Sequence, residues 1–159
     1  MDFDEKEGVF YYKSISTRYP TSISNKGYVK LSVGHKGNRE YVYAHRVAWF
    51  FLHKYFPEHL IDHIDLNKGN NAASNLRKAE PFQNNGNVAS RKDCHSKYKG
   101  VTKKYSANFP WRARGFVTTE GVKKSVYLGS FLTEEEAAKA YNEWAQTHFK
   151  DFARINEVA

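Results

Sequence analysis

The chain has 159 residues, 40% hydrophobic and 16% aromatic, which suffices for one ordinary domain or two small ones and excludes a disordered chain. No run reaches the roughly 18–20 apolar residues of a membrane span, and the acidic, aromatic start Met1 to Tyr12 lacks the basic and apolar regions of a signal peptide. The single cysteine, Cys94, closes no internal disulfide and builds no thiolate zinc site. The expectation is a soluble intracellular protein with no membrane partner, held by packing, whose metal would sit on oxygen and imidazole.

The formal net charge is +8, and its placement is informative. From Arg91 to Lys124 there are ten basic residues (Arg91, Lys92, Lys97, Lys99, Lys103, Lys104, Arg112, Arg114, Lys123, Lys124) against two acidic ones, Asp93 and Glu120. That one segment carries the whole excess, because the remaining residues hold 15 basic and 15 acidic groups. A positive field this concentrated suits a polyanion; the bland reading is a solvated face.

In chain order, residues 1 to 27 read as a loose, turn-rich lead-in with Tyr19-Pro20 and Asn25-Lys26-Gly27 as breakers. Tyr28 to Val33 alternates, with Val29, Leu31 and Val33 on one face, and the turn Gly34 to Asn38 returns the chain into Tyr41-Val42-Tyr43, a β-hairpin. Ala44 to Phe56 places Val47, Ala48, Phe51, Leu52 and Tyr55 at helical spacing before Pro57 stops it, giving an amphipathic helix that covers the hairpin. Further on, Tyr98 to Lys104, Trp111 to Val117 and Lys124 to Gly129 read as three strands of a meander, with turns at Ser106 to Pro110 and Thr118 to Gly121. Thr133 and Glu136 form a capping box ahead of Ala137, Tyr141, Trp144 and His148, predicting a helix of about four turns packed on that sheet. The polar seam Gly86 to Lys97 separates the halves, with a first module over 1–88, a linker over 89–97 and a second domain over 98–159.

The chemistry lies between them, in Leu60-Ile61-Asp62-His63-Ile64-Asp65-Leu66-Asn67-Lys68-Gly69-Asn70-Asn71, then Ser74-Asn75-Leu76 and Phe82-Gln83-Asn84-Asn85. Ile61 and Ile64 look like the ends of a short strand, Lys68-Gly69-Asn70 supplies a turn, and Pro81 suits the first position of a short helix containing Asn84. A plan of strand, long loop and helix can set Asp62 and His63 opposite Asn84, with Asn75 bonding across the loop. Carboxylate and amide oxygens suit a hard cation such as Mg²⁺, which keeps waters and completes its shell from phosphate. An imidazole suits a general base. Together they point to phosphodiester hydrolysis, with His63 deprotonating water and a metal on Asp62 and Asn84 stabilising the phosphate and the leaving oxygen. An isolated Asp-His pair is more often a surface turn. The run Asp65 to Asn70 is not an EF-hand, since glycine falls one place early and no bidentate Glu closes it. His45 and Arg46 are open between a phosphate contact and structural hydrogen bonding; His35, His53, His59, His95 and His148 show no ligand spacing.

The run HRVAWFF…LIDHIDLNKGNNAASNLRKAEPFQNN, over about residues 28 to 88, resembles the HNH nuclease family, in the phage-type subgroup where asparagine replaces the last histidine. The resemblance implies a ββα-metal fold, His63 as general base, Asp62 and Asn84 as metal ligands, Asn75 as the asparagine that holds the loop, Mg²⁺ or Mn²⁺ as cofactor, and no structural zinc. SKYKGVTKK…WRARGFV…KSVYLGSFLTEEEAAKAYNEWAQTHFKDFARIN, over about 96 to 156, resembles the plant APETALA or ethylene-response-factor DNA-binding domain. It implies a sheet laid into the major groove, with Lys99, Lys103, Lys104, Trp111, Arg112, Arg114 and Tyr127 at strand positions facing DNA; Trp111 and Tyr127 could equally be core aromatics. Thr102, Lys104 and Lys99 stand where the family has arginines, and lysine cannot make the two-pronged guanine contact.

The fold class read from all this is α+β: a ββα-metal module followed by a three-stranded antiparallel sheet packed on one C-terminal helix. The function is a metal-dependent DNA endonuclease of the homing type, in a host-cell cytoplasm if phage-encoded, with double-stranded DNA as partner. One active site per chain implies a nick from a monomer and a double-strand break only from a homodimer. The rival reading is a DNA-binding regulator with an inactive nuclease-like module.

Overall fold

The computed structural model describes residues 1–14, 17–35, 38–88, 95–104, 108–119 and 121–158. Cys94, most of the linker (89–94) with Arg91, Lys92 and Asp93, Glu120, and parts of the three expected turns lie outside the described residues. By compactness the chain divides between Glu80 and Pro81 into two units, each built of mixed α and β structure. No described helix is long and apolar enough to cross a membrane.

The first unit opens with three short strands, β1 (Asp2–Asp4), β2 (Val9–Tyr11) and β3 (Thr21–Ile23). The lead-in is therefore not loose: β1 pairs antiparallel with β2, and β3 joins the edge of the hairpin β4 (Val29–His35) and β5 (Asn38–Tyr43). Strands this short leave no periodic signal, because long-range pairing makes them. Phe10 is buried with Leu31, Ala44, Val47, Ala48 and Leu76, and Phe3, Phe51, Val29 and Val42 pack around this core. The alternation of β4 thus faces Leu31 toward helix α1 (Ala44–His53). That helix ends at His53 rather than Phe56, because Lys54 adopts the left-handed conformation (φ 65°) and its N–H closes on the carbonyl of Phe50.

After α1 comes a two-stranded antiparallel ribbon, β6 (Leu60–His63) and β7 (Leu76–Ala79), in which Asp62 faces Arg77 and His63 faces Leu76. The second strand was not expected from sequence; its burial does not alternate, and only the partner across the loop defines it. The lead-in braces that loop from outside. Gly8, at φ +66°, lies so close that an added Cβ would sit 2.2 Å from the amide nitrogen of Ala72, and the amide of Ala73 donates to the carbonyl of Glu5 at 2.8 Å.

The second unit begins with α2 (Pro81–Gly86), so residues 81–88, read from sequence with the first module, group here by contact. Gly86 packs against the ring of Phe149, and its carbonyl accepts from Lys99 Nζ at 2.6 Å and from the amide of Arg154 at 3.2 Å. Strands β8 (Val101–Lys103), β9 (Trp111–Thr119) and β10 (Val122–Phe131) form an antiparallel sheet in the order β10-β9-β8. Helix α3 (Glu134–Phe149) starts at the capping box of Thr133 and Glu136 and packs on this sheet. Small residues permit the close approach: Ala113, Ala137, Ala138 and Ala145 are fully buried, and Gly115 leaves room for the Trp144 ring, which an added Cβ would meet at 2.5 Å.

Candidate functional site

His63 ends β6 with a 4% exposed side chain. Its Nε2 lies 3.3 Å from Oδ1 of Asn71, a fully buried residue whose Nδ2 donates to the carbonyl of Gly69 at 3.2 Å. That second bond sets the amide with its oxygen toward the imidazole, an arrangement that accepts from Nε2 in the tautomer that carries the proton there. Burial pushes the His63 pKa below its ordinary value; the Asn71 hydrogen bond, Asp65 and Asp62 oppose the shift, and Lys68 adds to it. The ring is therefore neutral near pH 7.

Asn75 clasps the loop that follows. Its Oδ1 accepts from the amide of Asp65 at 3.0 Å, and its Nδ2 donates to Asp65 Oδ1 and to the carbonyl of Asn70, both at 2.8 Å. The amide of Ile64 donates in turn to the Asn75 carbonyl at 3.0 Å. Asp65 also accepts from Asn70 Nδ2 and from the amide of Asn67, and although burial works to raise its pKa, these hydrogen bonds hold the carboxyl below the usual range. The amide-rich run thus satisfies a twelve-residue excursion (64–75) that returns the chain from His63 to β7.

Asp62, 5% exposed, is paired with Arg77 through Oδ2 at 2.8 Å from Nη2 and 2.9 Å from Nε. Asn84 lies on α2, in the second unit. Among the described residues no group of three or more His, Cys, Asp and Glu side chains could hold a metal ion. The donors on offer are a buried carboxylate and amide oxygens, a set that fits a hard cation keeping its own waters.

Sequence reasoning gave Asn71 no role and left His45 open. The signal for Asn71 was its place in the amide run; the signal for His45 was absent, because only the fold brings α1 to β6. The His45 ring lies 5.3 Å from that of His63 at 80°, stacks on Tyr43 at 5.6 Å and meets Tyr28 at 5.2 Å. Arg46, its neighbour, is spent on the carbonyl of Pro57. Burial first, then the charges of His63 and Arg46, push the His45 pKa down to about 4 from 6.5. The folded value lies below the unfolded one, so the unfolded chain takes up the proton first, and stability present above pH 6.5 is lost as pH falls toward 4. Thermal unfolding from about pH 7.5 to about 4.5 should show Tm falling across that window, with a shallower fall in His45→Phe. Equal slopes in the two proteins would remove His45 as a source.

In the second unit the sheet has two unlike faces. Residues opposite one another in an antiparallel pair share a side, so Val101, Ala113 and Gly129 face α3, and Lys103, Trp111 and Phe131 follow them. The register divides the residues expected to face DNA between these two sides. Trp111 is half-buried against the core under α3 and does not share a face with Arg112 and Arg114. Lys103 pairs with Trp111 on that same side, its Nζ 5.8 Å from the ring centroid. Lys99 precedes β8 and turns inward onto the end of α2; burial, then Arg154, lower its pKa to about 8. The outer face holds Arg112, Arg114 and Tyr127, with Tyr127 64% exposed. A bulge between Tyr127 and Gly129 brings Ser130 to the same side, where its hydroxyl meets Tyr127 Oη at 2.9 Å and accepts from Lys104 Nζ at 3.2 Å. Lys123, which sequence reasoning counted in the basic segment without a site role, joins this face over the exposed Phe116 ring at 4.5 Å.

Comparison with known proteins gives three similarities. A family model described as HNH endonuclease matches residues 42–85. An uncharacterized HNH endonuclease of Acanthamoeba polyphaga mimivirus is 30% identical over 159 residues, spanning 96% of this chain and 77% of the relative. A solved structure describing DNA binding and cleavage by the HNH homing endonuclease I-HmuI aligns over 76% of this chain and 68% of its own, with TM-score 0.39 and 19% identity.

Proposed function

This chain belongs to the HNH endonuclease family, and on that premise we propose that it hydrolyses phosphodiester bonds of double-stranded DNA with His63 as the general base. The observation that carries the reading is the imidazole at the end of β6: a buried ring with Nε2 3.3 Å from Asn71 Oδ1, whose pKa burial lowers so that it can accept a proton from water near neutral pH. Asn75 keeps the loop beneath it closed. Asp62 would be a ligand to a divalent cation, Mg²⁺ or Mn²⁺, which when bound supplies charge stabilisation to the phosphate and the departing oxygen, and the family resemblance gives Asn84 a ligand role as well. Arg77 holds the Asp62 carboxylate in place, with Nη2 and Nε both on Oδ2.

The nuclease module in this proposal runs over residues 1–88, and the outer sheet face of the second unit docks the enzyme on duplex DNA in the manner its resemblance to ethylene-response-factor domains implies. Lys104, Arg112, Arg114 and Lys123 supply the phosphate contacts and Tyr127 a flat surface for sugar or base. Four such contacts give a log-log salt slope of binding near −3 to −4, and Arg114→Ala should reduce it by about 1. Titrating affinity against salt checks this; a flat response would remove the face as a phosphate footprint.

Plasmid nicking tests the activity. Supercoiled plasmid should become open circle with Mg²⁺ and stay supercoiled with EDTA, and linear product would mean two chains acting together. Plasmid that is bound but never cut would sink the nuclease and leave the DNA-binding regulator.

A further inference from the structure

Two lysines of the first unit stand over tyrosine rings that border the candidate base. The Lys68 ammonium lies 4.6 Å from the ring centroid of Tyr28, and that of Lys30 lies 5.9 Å from the ring centroid of Tyr43. The two tyrosine rings meet at 5.5 Å, and Tyr28 lies 6.0 Å from the ring of His63. Lys30 and Tyr43 are register partners across β4 and β5, so they share the face opposite to Leu31 and its partner Val42, which pack in the core. Lys68 is exposed and Tyr43 is 37% exposed, so this strip is open to solvent.

Support of the fold accounts for part of the arrangement only. Lys68 Nζ donates to the carbonyl of Lys26 at 2.9 Å, which ties the long loop to the turn before β4. That bond uses one of three ammonium protons and leaves two. Among the described residues Lys30 Nζ makes no hydrogen bond, and neither lysine forms an ion pair. The carboxylates on either side of His63 in sequence have other partners: Asp62 pairs with Arg77, and Asp65 accepts from Asn70, Asn75 and the amide of Asn67. Two cations on an exposed aromatic strip, with no carboxylate to balance them, suit a backbone of phosphates and sugars. The spacing agrees. From the Tyr28 centroid, 4.6 Å to the ammonium and 6.0 Å to the imidazole keep the two within about three phosphate steps of one strand, each about 3.4 Å along the helix axis.

We infer that Lys68 and Lys30 are DNA-backbone contacts of the nuclease module: their ammonium groups take phosphates of the strand presented to His63, within about three steps of the bond that is cut, and the rings of Tyr28 and Tyr43 hold them there. The inference rests on the nuclease reading of His63, and it adds a second footprint to the one on the outer sheet face.

The test measures affinity of the full chain for duplex DNA in EDTA across a range of salt. Two contacts added to the four of the outer sheet face put the wild-type log-log slope near −5. Lys68→Met keeps an apolar stem against Tyr28 and removes the charge, and Lys30→Met does the same at Tyr43. Each should flatten the slope by about 1 and the double variant by about 2, with binding about 5- to 10-fold weaker for each single variant at about 0.1 M salt. Lys68→Arg keeps the charge and should keep the wild-type slope. Lys30→Met breaks no hydrogen bond among the described residues, so its Tm should match wild type even where loss of the Lys26 bond lowers that of Lys68→Met. An unchanged slope in either methionine variant, or weaker binding at every salt with the slope intact, overturns the inference, because a lysine that only braces the fold releases no counterions from DNA. Plasmid nicking with Mg²⁺ separates this from the nuclease reading. Plasmid that wild type binds and never cuts, with slopes that flatten as stated, leaves the backbone contacts standing and ends the nuclease; nicking by wild type with unchanged slopes does the reverse.

Discussion

His63→Ala should lower DNA cleavage by about 10²- to 10⁴-fold, the range for loss of an acid-base group, while DNA affinity stays close to wild type. The separation follows from where the groups lie: the proposed phosphate contacts sit on the outer sheet face of the second unit, and His63 is buried in the first. Because burial lowers the His63 pKa, the neutral form persists below the ordinary imidazole value of 6.5, and the acid limb of the cleavage profile should lie below that value. Rate measured against pH under saturating DNA checks this. Cleavage by His63→Ala at the wild-type rate would end the assignment of the base.

Asn75→Ala should act differently, through the fold. The side chain makes three hydrogen bonds in the loop, two of them to Asp65 and one to Asn70, and it is 6% exposed. Removing them leaves the Asp65 amide and the Asn70 carbonyl without their partner, while the exposed Asp65 carboxylate keeps its bond from the Asn67 amide, a loss of about 2–3 kcal/mol. Against a typical total of about 5–15 kcal/mol this is a large share. Thermal unfolding should fall by roughly 10–20 °C, and cleavage should fall with it. Unfolding at the wild-type temperature would show that the loop closes without Asn75. Comparing the two variants separates chemistry from scaffold: the first loses rate mainly at the chemical step, the second loses rate because the strand ends are no longer held together.

The elements legible in the sequence are those whose signal is local. Alternation in β4, the helical spacing behind Ala44, and the reciprocal cap at Thr133 and Glu136 each reflect a backbone geometry that neighbouring residues impose, so they appear in the structure with small shifts at their ends. The lead-in and β7 were missed for the converse reason: strands of three or four residues exist through pairing with distant segments. The grouping of α2 with the second unit was equally invisible, because it depends on Gly86 meeting Phe149 and Lys99.

The same division runs through the site. Composition, charge placement and the amide-rich run around Asp62 and His63 pointed from the sequence to a nucleic-acid-directed protein, and the resemblance to the HNH family supplied the roles expected of those residues. Only the tertiary structure decided that Asn71 Oδ1 lies at His63 Nε2, that the His45 ring lies against that of His63, and that Arg77 pairs with Asp62. It also decided which cations of the basic segment share the outer face, since strand register and the bulge after Tyr127 put Arg112, Arg114 and Lys104 on one side and turned Trp111, Lys103 and Lys99 away. The reason is geometric: chain order sets which groups are available, while the directions of side chains across a sheet or between a helix and a strand follow from pairings that are long-range in sequence.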